Sequence, residues 1–148
     1  MHPLTAPIRE AIAAAQPELL KIPPPAACLK PAPDAWSRNE ILGHLIDSAA
    51  HNHQLVVRGA LDEALNFPPY QQDPWVAIQR YNQMDWLELV DLFVLNNRRL
   101  CWVVEGLPPQ AFANLCRLGK DKIVPLEFVV TDYLRHLKLH LASILESS

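Results

Sequence analysis

Along the chain, apolar residues recur every three to four positions in four separate stretches, the spacing that builds one face of an α-helix. The first runs from about Pro7 to Leu20, with Ile8, Ile12, Ala15 and Leu19 on one stripe and Thr5 placed to cap it. Pro17 stands inside this stretch and predicts a kink or an early end. After a proline-rich segment from Pro23 to Pro33, the second stretch runs from about Arg38 to near Gly59. Its start is marked by Ser37 and Glu40, the S-x-x-E spacing of a capping box. The third begins near Asp85 and continues until Gly106 and Pro108 stop it; the fourth runs from about Leu126 to Leu145, with Pro125 in its first turn. No segment shows the two-residue alternation of a strand. Between the second and third stretches, FPPYQQDP reads as a loop, and Asp73 is placed to cap a short helix carrying Trp75, Ile78 and Tyr81.

Four helices of this length predict an all-α four-helix bundle, with residues 1–148 as a single domain and a short extra helix in the long connection between helices 2 and 3. That connection is long enough to permit a crossover. With half its residues hydrophobic and a fifth charged, the chain has globular composition. Four glycines against fourteen prolines leave no Gly-rich loop for a phosphate. A formal charge of −3 with no basic stripe argues against nucleic acid as a partner. The cysteines Cys28, Cys101 and Cys116 form no C-x-x-C pair and point to a reducing compartment. The N-terminal residues lack the apolar core of a signal peptide, and no run is long enough to span a membrane, so the expected location is cytoplasmic. In the third helix, Leu92, Phe93, Leu95 and Leu100 exceed what one bundle core needs, which predicts a homodimer. The tryptophans read as core or pocket walls.

Chemistry concentrates in the histidines. His136 and His140 are spaced i, i+4 and project from one helix face a turn apart, the spacing with which two imidazoles grip one ion. His44 interrupts the apolar stripe of the second helix and can supply a third donor. A chance pair plus a hydrogen-bonded interior histidine would give the same text. Asp47 and Asp132 lie within a turn of His44 and His136, where a carboxylate can orient a ring; His51, two turns after His44, is a further ligand or proton-carrier candidate. Tyr133 is another group that could move a proton, whereas His53 and His2 read as surface residues, His2 in a floppy terminus. Cys116 stands near Arg117 and Lys120, which would favour its thiolate if it were accessible.

Three segments carry a resemblance: WSRNEILGHLIDSA in the second helix, YQQDPWVAIQRYN in the connection, and TDYLRHLKLHLASI in the last helix. Together they resemble the DinB-like superfamily across nearly the whole chain. The resemblance implies an up-down-down-up bundle and one divalent metal ion, nickel or zinc, held by His44, His136 and His140. It also implies a metal-dependent transferase using a low-molecular-weight thiol such as bacillithiol or mycothiol, or a hydrolase, acting on a small molecule. The alternative is a non-catalytic metal- or ligand-binding bundle that dimerises. The chain departs from the commoner superfamily pattern at Leu141, where an arginine often follows the last histidine.

Overall fold

The computed structural model describes residues 2–146. Its long helices are α1 (Ala6–Leu20), α3 (Arg38–Ala60), α5 (Trp86–Glu105) and α6 (Leu126–Leu145), with two short ones, α2 (Pro24–Ala27) and α4 (Gln72–Gln79), in the connections. The predicted stripe of α1 is buried as a unit. Pro17 does not end this helix at once: it stands on the exposed side, and the helix runs three residues further, to Leu20. Thr5 occupies the N-cap position but makes no side-chain cap, since its hydroxyl donates to the His2 carbonyl instead. His2 is itself engaged there, its Nδ1 accepting from Leu4 N at 3.2 Å and its ring lying 5.5 Å from Phe112.

Terminal contacts fix the helix directions. Arg9 pairs with Glu105 and the Trp86 indole donates to Leu19 O at 2.9 Å, so α1 and α5 are antiparallel. Asn39, at the start of α3, donates to Tyr81 O and Met84 O just before α5, so these two helices run parallel. Arg38 Nε donates to Ile144 O across an antiparallel α3–α6 pair. The order is therefore up-down-down-up, with the long connection as the crossover. Buried apolar residues from all four helices meet in one core around Trp86, Phe93, Leu42, Leu126 and Leu137.

Four local expectations change. Residues Leu115–Arg117 (β1) and Ile123–Pro125 (β2) pair antiparallel, with Cys116 opposite Val124 and Gly119 at positive φ in the turn. Three-residue strands are too short to display a period. Helix α4 begins at Gln72 with Gln71 at its N-cap, so Asp73 sits in the first turn and faces the helix dipole without capping. Arg80 turns left-handed (φ 55°) and ends α4, which puts Tyr81 in a separate 3₁₀ turn, Tyr81–Gln83. In α5, Phe93 and Leu100 belong to the core, whereas Leu92 and Leu95 are exposed together with Trp102, which is no core residue.

Candidate metal centre

The capping box forms as written: Ser37 Oγ accepts from Glu40 N at 3.2 Å and Ser37 N donates to Glu40 Oε1 at 3.0 Å. It starts α3 two turns before His44, whose side chain is driven inward to 2% exposure with its ring 5.3 Å from that of Trp36. The antiparallel α6 brings His136 and His140 against it. Ligand nitrogens of the three lie within 4.8 Å of one another. His44 Nε2 and His136 Nε2 are 3.3 Å apart.

Two nitrogens each about 2.05 Å from a tetrahedral zinc ion stand about 3.3 Å apart, so this spacing suits a shared ion. Electrostatics suit it as well. Burial first, then His140 and His136, push the pKa of His44 down to about 4. Burial is also the leading cause of the downward shift at His136 and the cause at His140. All three are thus neutral near pH 7, with lone pairs available to a cation. An N–H···N bond between His44 and His136 would engage two rings and leave His140 without a role. The residues fit a divalent ion.

The ring-orienting carboxylates expected from sequence are engaged elsewhere. Asp47 accepts from Tyr81 Oη at 2.6 Å and from Gln79 Nε2 at 2.9 Å. Asp132 accepts from Arg135 Nε at 2.9 Å. His44 Nδ1 is consequently buried with no hydrogen-bond partner among the described residues, and packing against Trp36 is what fixes the ring. His51 stands apart from the cluster, its ring 4.9 Å from those of Phe67 and Tyr70. Tyr133 turns its hydroxyl inward to Asn97. Cys116 is buried, which raises its pKa, and the Asp62 charge adds to the rise, while Arg117 turns its guanidinium to Leu65 O and Lys120 O.

Two clefts flank the histidines. One, of about 210 Å³, reaches His44 and His136 and is lined by Ser48, Asn52, Tyr70, Gln72, Leu118, Asp132 and Tyr133. The other, of about 330 Å³, reaches His140 past Trp36, Asp34 and Asp73. Burial raises the Tyr70 hydroxyl to about 12, with the Asp47 charge adding to it and a hydrogen bond to Ser48 opposing it. Tyr70, Gln72, Ser48 and Asn52 escaped the sequence reading as site residues. For the last two a signal existed, since His44, Ser48 and Asn52 form an i, i+4, i+8 polar row on one helix; Tyr70 and Gln72 arrive from the crossover and had none.

The fold is a crossover four-helix bundle in which three imidazoles converge between two clefts, a group that could hold a metal ion. The sequence profile of the DinB superfamily matches residues 8–144, and the chain belongs to that superfamily. Among solved structures it is similar to YfiT from Bacillus subtilis, described as a probable metal-dependent hydrolase with an unusual four-helix bundle topology. The TM-score is 0.84 at 19% identity, over 97% of this chain and 82% of that one. It is also similar to a mycothiol-dependent maleylpyruvate isomerase, with a TM-score of 0.80 at 14% identity, over 97% of this chain and 61% of the isomerase. No curated protein gives a match. Among the described residues no helix is long and apolar enough to cross a membrane.

Proposed function

We propose that His44, His136 and His140 hold one divalent ion, nickel or zinc, and that the protein uses it as a transferase for a low-molecular-weight thiol or as a hydrolase of a small molecule. The observation that carries this is the convergence of three neutral imidazoles from antiparallel helices with a cleft on each side. The names of the two structural neighbours, one metal-dependent and one mycothiol-dependent, support the same reading. The ion supplies Lewis acidity, which lowers the pKa of a thiol or water that reaches it into the neutral range.

The chain's own residues supply position and protons. Tyr70, held protonated at neutral pH, offers a hydroxyl to an oxygen that gains charge in the cleft, and Ser48 orients it. Asn52 lines the same wall, its amide held by Ser48 O at 2.8 Å. Gln72 lines both clefts, so α4 serves as their shared wall. Asp47 lies outside the chemistry and acts through Tyr81 and Gln79, tying α4 to α3.

Elemental analysis of protein purified without a metal-affinity column tests the metal assignment, with about one divalent ion per chain expected. Ion content unchanged after all three histidines become alanine would refute it. Conjugation of a small electrophile is then followed with several cellular thiols, with nickel or zinc present, beside hydrolysis of simple esters and amides. A metal-dependent rate in either assay is expected, and none in both leaves the binding-only bundle as the function.

A further inference from the structure

Helices α1 and α5 meet with small side chains at Ala13 and Cys101, and a cleft of about 290 Å³ opens between them. It shares no residue with either cleft at the histidines. Its floor is apolar, formed by Ile12 and the Cys101 thiol, both buried. Burial pushes that thiol up to about 11, with the Arg9 charge opposing the shift and the Glu105 charge adding to it, so the floor is uncharged near pH 7.

The polar lining consists of donors whose capacity the fold does not use up. Arg98 makes no ion pair among the described residues, and the half-buried Gln16 amide makes no side-chain hydrogen bond among them. Asn97 is fully buried, yet its amide donates only to Phe93 O, at 2.8 Å, while its oxygen accepts from Tyr133; one amide hydrogen is left over. No carboxylate lines the cleft. Arg9 is neutralised by Glu105, so the charge that remains is the single positive of Arg98. One guanidinium above an apolar floor matches a monoanion with a hydrocarbon body. Its planar fork meets a carboxylate with two parallel bonds, whereas a phosphate dianion would bring an unmatched second charge and leave the floor unfilled. The volume sits at the lower limit of pockets that take drug-sized molecules, about 300 Å³, which restricts the guest to something smaller. We infer that the α1–α5 cleft is a second ligand site, which takes a small monocarboxylate, its carboxylate on Arg98 and Gln16 and its apolar body over Ile12 and Cys101.

Isothermal titration calorimetry of the full chain tests it with benzoate, the neutral benzamide and inorganic phosphate, in chelator so that no ion at the histidines competes for the anions. One benzoate per chain is expected, with benzamide and phosphate each weaker by about tenfold or more. Arg98→Gln, an exposed change, should weaken benzoate binding by about tenfold or more, because a charge-assisted bond is lost. Ala13→Leu, also exposed and nearly neutral for the helix, should fill the cleft and remove binding. Circular dichroism of both variants should match that of the wild type. No benzoate binding by the wild type overturns the inference. So does binding that benzamide or phosphate equals, or that survives unchanged in either variant.

Discussion

Gly43 shows how closely one residue can be tied to the geometry of the centre. A Cβ there would fall 2.2 Å from the ring of Tyr81, which lies flat on the α3 backbone one residue from His44. That close approach lets the Tyr81 hydroxyl reach Asp47, a carboxylate whose pKa burial raises while the Tyr81 and Gln79 bonds lower it. Gly43→Ala should cost about 1–3 kcal/mol through overpacking, read by urea denaturation, and should displace α4 from its place beside both clefts. Tyr81→Phe should cost about 1–3 kcal/mol, because it leaves a buried acceptor short of a partner while the packing survives. Equal stability of wild type and both variants would mean that the Tyr81 contact carries no weight. The sequence displayed the glycine but not its reason. Tyr81 lies 38 positions away and points at α3 only because Arg80 turns the chain left-handed, which no local pattern announces. The three histidines were legible because two share a helix face and the third breaks an apolar stripe. That Asp47 and Asp132 are held by other partners was not legible, because spacing shows nearness along a helix and says nothing of competing partners from α4 or of Arg135.

At the scale of elements, α3 carries most of the construction. Its capping box satisfies amides at a helix start, and Ser37 additionally bonds Asn82, which donates to Cys28 O at 2.9 Å. One side chain thereby joins the start of α3, the end of α2 and the turn before α5. Ser37→Ala should destabilise the protein by about 1–2 kcal/mol, the upper part of the range for a lost cap because the link to Asn82 goes with it. Metal content should stay at the wild-type level, since His44 lies two turns into the helix and is fixed by packing on Trp36. A loss below about 0.5 kcal/mol in urea would show that Glu40 alone is enough to start the helix. Long elements such as this were readable from periodicity and caps, and the up-down-down-up order came from the resemblance. The β1–β2 ribbon was not readable, because its three-residue strands owe their pairing to their place over the end of α3, where Arg117 N bonds Ala64 O at 3.2 Å.

For the molecule as a whole, the metal proposed for the three histidines would act on stability through the same nitrogens that take up protons. His44, His51, His53, His136 and His140 all have native pKa values below the ordinary value of 6.5. A histidine depressed in the fold binds protons more readily when unfolded, so its contribution is intact above about 6.5 and is lost as pH falls towards the native value. With His44 near 4, the chelator-treated protein should lose melting temperature steadily from about pH 7 down to 4 and change little from 7 to 8.5. Asp47 acts in the opposite sense but only around and above the carboxylate range, since its raised pKa favours the protonated fold at low pH. An ion bound as proposed should add to stability near neutrality. At free metal about a hundred times its dissociation constant the gain is about 2.7 kcal/mol, or roughly 5–10 °C in a domain of this size. Because protons displace the ion, that gain should shrink across the same acidic window, so the two melting curves converge as pH falls. His140→Ala should abolish the metal-induced shift while leaving the chelated protein folded, for His140 is only partly buried and Leu137 and Leu141 hold α6 in the core. Thermal melts of wild type and His140→Ala, each with metal and with chelator, separate the contributions. A metal-induced shift of equal size in both proteins would remove His140 from the centre and reduce it to two histidines, too few to hold the ion against water.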